Sequence, residues 1–352
     1  MLKNLFSRRP PKTVTLQNDG FQFAVGRNKT VLESALEAGV AYPYDCTVGT
    51  CGTCRTRLIS GKVDAITPFG YTLSREELEA GCILACQAVP ESDLVVEVEL
   101  GSLAVTVQHC AARLVEVVDL THDIKRVTWE TASPVTYRAG QYMNVTWPGA
   151  PGPRSYSFSS APAANGQTLL STFVRKVPGG AFTERLFAGD LSATAFEIDG
   201  PHGNFWLRDG TGGQNAPILL VGGGSGLSPL MSLLNDAVAR GVQRDAILLF
   251  GGRAGRDLYC LDEIAAIAAR WQGKFAFWPV LSDEAVPAHR FGLVTNEISA
   301  AVAELGGASG MQAYLCGPPG MIDAGVAVLA QAGVPLVDIH YDKFTDASTR
   351  AT

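Results

Sequence analysis

The sequence predicts three domains: a small α+β unit, an antiparallel β-barrel, and an α/β unit built on a parallel sheet. Its 352 residues suit two or three domains of ordinary size. The pattern of apolar residues changes twice, from mixed elements to strands alone and then to alternating strands and helices. Residues 13–101, 110–208 and 209–352 are therefore expected to fold as domains, with residues 102–109 as a linker.

Strands and a helix occur together in the first segment, which indicates an α+β unit. Residues 13–16, 21–25 and 94–100 alternate polar and apolar side chains, as half-buried strands do. Residues 30–39 follow a helical spacing that stops at Gly39, a residue typical of helix ends.

The two later segments differ in how their strands are connected. In the middle segment, strand-like runs separated by turn residues predict an antiparallel barrel, and these runs lie at 113–118, 124–129, 141–147, 169–177 and 195–198. The last segment alternates strands with helices, which predicts a doubly wound parallel sheet. Its expected strands are 217–221, 246–250, 275–280 and 313–316, with a helix at 230–240.

Composition and charge exclude several classes of protein. The chain is 47% hydrophobic and 18% charged, with a net charge of −6, so it has neither the signature of disorder nor the basic footprint of a nucleic-acid binder. No apolar run approaches the ~18 residues that span a bilayer. The first twelve residues are basic and lack the core of a signal peptide, so a frayed tail or a weak membrane-surface contact stays open; both predict a cytoplasmic protein.

Five of the eight cysteines lie between residues 46 and 86, which suggests a metal site. Cys46, Cys51 and Cys54 have the spacing C-x4-C-x2-C, and Cys86 follows at a distance. This is the plant-type [2Fe–2S] pattern. Structural zinc usually takes two paired C-x2-C arms, so zinc is the weaker interpretation, as are unligated core thiols. Cys82 is expected to be a buried free thiol.

The cluster segment is acidic, with six Lys or Arg against twelve Asp or Glu in residues 13–101. Plain solvation explains such an excess, but so does a docking surface that steers an electron-transfer partner.

A flavin nucleotide site is predicted on a barrel strand that contains Arg154, Ser155, Tyr156 and Ser157. Arginine pairs with a pyrophosphate, a tyrosine ring packs on flavin or ribose, and a serine hydroxyl can reach the N5 edge of the flavin ring. The following loop strengthens this hypothesis. Gly179 and Gly180 precede an expected helix start at Thr183, a suitable seat for phosphate.

A nicotinamide nucleotide site is predicted where Gly222, Gly223, Gly224, Ser225 and Gly226 lead from a buried strand into a helix. Glycines let the backbone approach a pyrophosphate, and the helix N-terminus favours its charge. The pattern departs from the Rossmann fingerprint, because Leu227 stands at the third glycine position.

Two later segments add to this nucleotide site. Arg253, with residues 257–259, could hold the adenosine half of the nucleotide. Cys316, Gly317 and Pro318 end a strand at the carboxyl edge of the predicted sheet, where ligands bind.

Taken in order, these motifs resemble the ferredoxin–NAD(P)H reductase superfamily, and within it the reductases of bacterial oxygenases. The resemblance covers nearly the whole chain. It implies a β-grasp [2Fe–2S] ferredoxin domain, an FAD-binding barrel and an NAD(P)H-binding α/β domain. It also implies that Cys46, Cys51, Cys54 and Cys86 ligate the cluster.

The resemblance further implies roles at the flavin and nucleotide. Phe344 matches an aromatic residue that covers the flavin ring, and Ser157, Cys316 and Phe344 are expected beside the reacting rings. Val174 and Lys176 are expected to join the flavin-binding residues. Ser225 and Ser228 stand where Thr and Ala are commoner, which leaves the choice between NADH and NADPH open.

The expected activity is electron transfer from NADH, or NADPH, through FAD and the cluster to a partner. That partner is a terminal oxygenase of aromatic or hydrocarbon degradation, or an intermediary ferredoxin. The chain is expected to be a monomer that contacts a membrane only if its oxygenase is membrane-bound. A redox-sensing regulatory protein that oxidises NAD(P)H poorly is the alternative, because fold does not fix function.

Overall fold

A computed structural model describes residues 11–44, 49, 52–100, 107–191, 194–208 and 213–344. The chain divides into two compact units, Met1–Ala104 and Val105–Thr352. We describe each unit by itself.

The described part of the first unit contains a mixed sheet with strands in the order β2-β1-β7-β3-β5, and a separate β4-β6 pair. The strands are β1 (Lys12–Leu16), β2 (Gln22–Val25), β3 (Arg55–Ser60), β4 (Val63–Ala65), β5 (Cys82–Leu84), β6 (Ala88–Pro90) and β7 (Leu94–Glu97), and the helices are α1 (Val31–Glu37) and α2 (Arg75–Glu79). β1 runs parallel to β7 and antiparallel to β2. Strands and helices pack around one core, which confirms the predicted α+β class.

Local sequence explains where α1 begins and ends. The Thr30 side chain accepts from the Glu33 amide, while the Glu33 carboxylate accepts from the Thr30 amide, which forms a capping box. After the helix, Gly39 adopts a φ of 75°, a left-handed conformation that ends helices readily. Val31 and Ala35 are fully buried against the sheet.

The second unit begins with an antiparallel barrel whose strand order is β11-β10-β13-β8-β9-β12. Its elements are β8 (Gln108–Asp119), β9 (Ile124–Val135), β10 (Tyr142–Thr146), β11 (Arg154–Ser157), β12 (Gln167–Arg175), α3 (Thr183–Ala188) and β13 (Phe196–His202). A bridge between Phe158 and Thr172 brings the two ends of the sheet together. Gln108 and His109, which the sequence analysis included in a linker, pair with β13.

The barrel packs around aromatic side chains. Trp129 is fully buried and stacks with Phe182 at 6.0 Å between ring centroids. Its indole N–H donates to Thr172 Oγ1 at 3.0 Å, so the buried polar atom is paired.

A six-stranded parallel sheet completes the second unit, with strand order β17-β16-β15-β14-β18-β19. The strands are β14 (Ile218–Gly223), β15 (Ala246–Gly252), β16 (Phe275–Leu281), β17 (Arg290–Phe291), β18 (Gln312–Gly317) and β19 (Ile339–Lys343), and the helices are α4 (Leu227–Ala239), α5 (Leu261–Arg270), α6 (Ile298–Glu304) and α7 (Pro319–Gln331). The predicted parallel class is confirmed. The helix expected at 230–240 starts earlier, at Leu227, because the glycine turn leads straight into it.

The chain starts this sheet in its middle, adds β15 to β17 on one side, and then returns to add β18 and β19 on the other. The crossover between β14 and β18 is a topological switch point, which leaves a crevice at the carboxyl ends of these strands. Within the described residues, no helix combines the length and apolarity needed to cross a membrane.

Candidate functional site

Two of the four predicted cluster ligands, Cys54 and Cys86, meet in the first unit. β3 and β5 pair directly beside them, and the Ala85 amide donates to the Cys54 carbonyl at 3.0 Å. The Cys86 amide donates to Cys54 Sγ at 3.5 Å, and both side chains are nearly buried. Cys46 and Cys51 lie outside the described residues. Among the residues that the structure describes, no three His, Cys, Asp or Glu side chains are grouped so that they could hold a metal ion.

The surroundings of Cys86 fit a compact sulfur cluster. Gly49 has a φ of 80°, and a Cβ there would lie 2.6 Å from Gln87 Cγ. Gln87 Nε2 in turn lies 3.7 Å from Cys86 Sγ, and the Thr72 hydroxyl donates to the Gly49 carbonyl. Thiolates with nearby amide donors suit a [2Fe–2S] centre. The sequence analysis missed Gln87, although it directly follows a ligand cysteine.

The predicted flavin residues lie on β11, which pairs with β10. Arg154 is half-buried and its Nη1 donates to the carbonyls of Gly152 and Pro153 at 3.1 and 2.9 Å. Tyr156 packs against Phe182 at 5.4 Å between centroids, and burial raises the pKa of its phenol, which therefore stays neutral.

The two serines of β11 differ in exposure. Ser155 is exposed and donates to Asn144 Oδ1 at 2.7 Å, whereas Ser157 is buried. The Ser157 carbonyl accepts from the Ser228 hydroxyl of α4 at 2.8 Å, which ties β11 to the nucleotide-binding part of the unit. A cation, an aromatic ring and hydroxyl groups on one short strand fit a flavin nucleotide.

The expected phosphate seat is a preformed loop ahead of α3. Thr183 is the first helical residue, and its hydroxyl bonds to both the amide and the carbonyl of Val177. The Gly179 amide donates to Glu184 Oε1 at 3.2 Å, and Lys176 Nζ lies 3.5 Å from the same carboxylate. The Glu184 carboxylate thus already accepts from one of the backbone amides that the sequence analysis expected to face phosphate. Val174 is buried in β12, and Gly180 completes the loop.

The two glycine motifs of the nucleotide site meet at the switch point of the parallel sheet. Gly222 pairs in register with Cys316 across β14 and β18. A Cβ on Gly226 would collide with the Cys316 carbonyl and would lie 2.8 Å from the Gly317 amide nitrogen. Only glycine allows the two loops to approach this closely.

Beside these loops lies a cavity of about 330 Å³. Among the predicted residues, Gly223, Gly224, Arg253 and Pro318 line it, whereas the motif positions Gly222, Ser225, Gly226, Cys316 and Gly317 do not. Tyr259 supports the wall, since its hydroxyl donates to the Gly224 carbonyl at 2.8 Å.

The barrel contributes two charged cavity residues that the sequence analysis missed, Asp123 and Arg175. Arg175 Nε lies 3.1 Å from Asp123 Oδ2, and Thr121 donates to the other carboxylate oxygen at 3.0 Å. Burial acts to raise the pKa of Asp123, but the Thr121 hydrogen bond and Arg175 outweigh it and lower that pKa. Asp123 is thus ionised, and it orients the guanidinium group of Arg175 at the cavity wall.

Cys316 and Phe344 lie at the carboxyl end of β18 and β19. Burial raises the pKa of the Cys316 thiol well above its usual range, and the carboxylate of Asp342 adds to this effect, so the thiol stays protonated. Phe344 is half-buried, and its amide donates to the Gly317 carbonyl at 2.9 Å. Asp342 pairs in register with Cys316, and burial raises its pKa to about 6. The sequence analysis missed Asp342 because single acidic residues carry no motif.

Comparisons with known proteins agree with this arrangement. Three family descriptions match in chain order: a 2Fe-2S iron-sulfur cluster binding domain at 14–91, an oxidoreductase FAD-binding domain at 111–206, and an oxidoreductase NAD-binding domain at 220–326. Together they confirm the expected cofactors, a [2Fe–2S] cluster, FAD and a nicotinamide nucleotide.

Two curated relatives and one solved structure resemble nearly the whole chain. The xylene/toluene monooxygenase electron transfer component XylA of Pseudomonas putida is 38% identical over 348 residues, covering 97% of this chain and 96% of the relative. The reductase component of the naphthalene 1,2-dioxygenase system of Pseudomonas putida is 32% identical over 325 residues, covering 92% and 94%. The Amycolatopsis cytochrome P450 reductase GcoB is similar in structure, with a TM-score of 0.71, 37% identity, and coverage of 96% and 99%.

These matches confirm the resemblance seen in the motifs, and they span all three domains. The chain therefore belongs to the family of NAD(P)H-dependent iron–sulfur flavoprotein reductases, the electron-transfer components of oxygenase systems.

Proposed function

We propose that this chain takes a hydride from NADH and delivers electrons singly to a terminal oxygenase of aromatic or hydrocarbon degradation, or to its intermediary ferredoxin. The observation that carries the proposal is the crevice at the switch point of the parallel sheet, tied to the barrel strand that bears Arg154 to Ser157. When bound, the flavin converts hydride transfer into single-electron transfer, and the cluster accepts electrons one at a time.

On the flavin side, we assign the pyrophosphate to Arg154 and a ring contact to Tyr156. Ser157 is buried at the end of β11, and we assign its hydroxyl to the reactive ring edge. The remaining flavin-binding residues of this proposal are Ser155, Val174, Lys176, Gly179, Gly180 and Thr183.

On the nucleotide side, we assign the pyrophosphate to the backbone from Gly222 to Gly226 and the adenosine half to Arg253. We assign the facing wall to Pro318, with Cys316 and Gly317 directly before it at the end of β18, and the cover of the flavin ring to Phe344. Because Cys316 stays protonated and apolar, its role here is to shape the dry end of the crevice, with no proton to transfer.

In the first unit, we assign the cluster to Cys46, Cys51, Cys54 and Cys86. The partner is proposed to dock beside this site, where two large apolar side chains are exposed, Ile66 at 63% and Tyr71 at 77%. The Ile66 amide bonds to the Gln87 carbonyl, and Thr72, the neighbour of Tyr71, bonds to Gly49. An apolar centre within an acidic domain suits a partner whose docking face is apolar with a basic rim.

We also propose that the chain acts as a 37.2 kDa monomer in the cytoplasm, where NADH is supplied. Membrane contact follows only if the oxygenase itself is membrane-bound. Light scattering of the purified protein tests the monomer.

Rapid mixing with NADH tests the proposed function. The flavin absorbance should bleach within the time of one turnover, and an added one-electron acceptor such as cytochrome c should then be reduced. Rising salt should slow the reduction of the protein acceptor, because salt screens the acidic docking surface. The rate of ferricyanide reduction by NADH should be less affected. Bleaching too slow to support turnover would favour a redox-sensing protein instead.

Arg154→Ala tests the flavin assignment. Loss of a charge-assisted phosphate contact should cost about 1.5–3 kcal/mol of FAD binding. The ratio of FAD to protein after gel filtration should fall. An unchanged ratio would show that Arg154 does not hold FAD and only bonds to the carbonyls of Gly152 and Pro153.

A further inference from the structure

The loop after β15 places one carboxylate in the wall of the cavity. Arg253 follows β15, and Asp257 lines the same cavity. In doubly wound sheets, the residues that follow the second strand of the motif face the adenosine ribose and distinguish a 2′-hydroxyl from a 2′-phosphate. β15 is the second strand of this sheet in chain order. The chemistry of the loop after it therefore bears on the choice between NADH and NADPH.

Three consecutive backbone amides in this loop point at acidic side chains. The amides of Arg253 and Ala254 donate to Asp257 Oδ2 at 2.9 and 3.0 Å. The next amide, that of Gly255, donates to Glu284 Oε2 at 2.6 Å. Successive amides of this kind make a concave anion-binding surface that accepts phosphate in other proteins. Here the chain fills that surface with two carboxylates of its own.

Glu284 comes from the loop that follows β16, and the backbone holds this loop in place. The Ser282 amide donates to the Gly252 carbonyl at 3.0 Å, and the Asp283 amide donates to the Arg253 carbonyl at 2.9 Å. These bonds extend the pairing of β15 and β16 past the end of the sheet. They place the exposed side chain of Glu284 beside the Gly255 amide, although the two residues are 29 positions apart in the sequence.

The loop contains two arginines, Arg253 and Arg256, and both are exposed, so they offer little compensation. Arg253 is 59% exposed, and its Nε lies 4.0 Å from Asp257 Oδ2, so its charge already faces a carboxylate. A 2′-phosphate at this loop would meet two negative charges, and the two arginines that could balance them both stand in solvent, which screens their charge.

We propose that Glu284 is a specificity-determining residue that occupies the anion position at Gly255 and so excludes the 2′-phosphate of NADPH. This inference deepens the proposed function, since it rests on the crevice as the NADH site. Glu284 touches no reacting atom and acts on the choice of nucleotide alone.

Binding of NAD⁺ and NADP⁺ to the oxidised full-length protein, measured by calorimetry, tests the inference together with kcat/KM for NADH and NADPH with ferricyanide. Wild type should prefer NAD⁺. Glu284→Gln, which removes the charge, should raise the NADP⁺ to NAD⁺ affinity ratio about fivefold. Glu284→Ala, which also frees the Gly255 amide, should raise it about tenfold or more.

Asp283→Asn is the matched control, because this neighbouring carboxylate accepts from the Ser282 hydroxyl and from none of the three loop amides. The ratio should not change in this variant. An unchanged ratio in both Glu284 variants, or an equal rise in the control, overturns the inference. Failure of wild type to bind either nucleotide would instead refute the proposed function.

Discussion

In the first unit, Cys54 and Cys86 approach each other because β3 and β5 pair directly beside them. In the second unit, by contrast, the cavity collects residues from the ends of separate parallel strands and from the barrel, including Asp123, Gly251 and Pro318. The first arrangement is local and depends on a few covalent ligands. The second depends on the packing of distant segments. We therefore expect a substitution that damages one of the two regions to leave the other region intact.

The strongest test of this independence is the fragment Val105–Thr352. Its hydrophobic clusters contain no residue of the first unit, so it should fold alone as a yellow protein without a cluster. NADH should still bleach its flavin in stopped-flow measurements, while coupled oxygenase turnover should vanish. Turnover at the full rate would show that electrons leave directly from the flavin.

Cys54→Ser should damage the first region alone. Losing one thiolate ligand should abolish the cluster absorbance, whereas FAD content and NADH–ferricyanide activity should persist. Reduction of cytochrome c should be lost. Cys82→Ser is the matched control, because this thiol is also buried but lies in β5 apart from the predicted ligand set. Equal loss of both activities in Cys54→Ser would contradict the order of electron flow.

Gly226→Ala should damage the second region alone. The new Cβ would collide with the backbone carbonyl of Cys316, which cannot rotate away, so the protein should lose about 3 kcal/mol of stability. Thermal unfolding of the flavin-binding unit should shift, while the cluster absorbance stays intact. Gly320→Ala, which meets no atom within 4 Å, should leave the melting temperature unchanged. A similar drop in both variants would point to general loss of glycine flexibility.

The smallest effect is expected from substitution of Asp342, which should change how the free energy of unfolding depends on pH. Its folded pKa of about 6 lies above the ordinary value, so the folded state holds this proton more tightly than the unfolded state. Its favourable contribution is complete below pH 4 and is lost as the pH rises through 6, by about 2–3 kcal/mol. Asp342→Asn should remove this slope in denaturant titrations between pH 4 and 7. An identical slope in the variant would assign it to another group.

The same contrast explains what the sequence could predict. The Thr30–Gly39 helix and the glycine turn at 222–226 are local patterns, and each was placed correctly in its element. Arg175, Asp342 and Glu284 were missed because each is an ordinary charged residue whose meaning depends on a partner far along the chain. Only the register of the strands reveals those partners. Expected elements also ran past their observed ends, as at 94–100, where alternation continues after pairing stops at Glu97.

The hydroxyl groups of α4 have a consequence for motion. Ser228 donates to the Ser157 carbonyl at 2.8 Å, and Ser232 donates to the Ser160 carbonyl at 2.6 Å, so one buried helix fastens the flavin strand to the parallel sheet. Opening a cleft between these two parts would break both bonds. The hydride step should therefore be gated by small local displacements such as that of Phe344, and its rate should respond little to solvent viscosity.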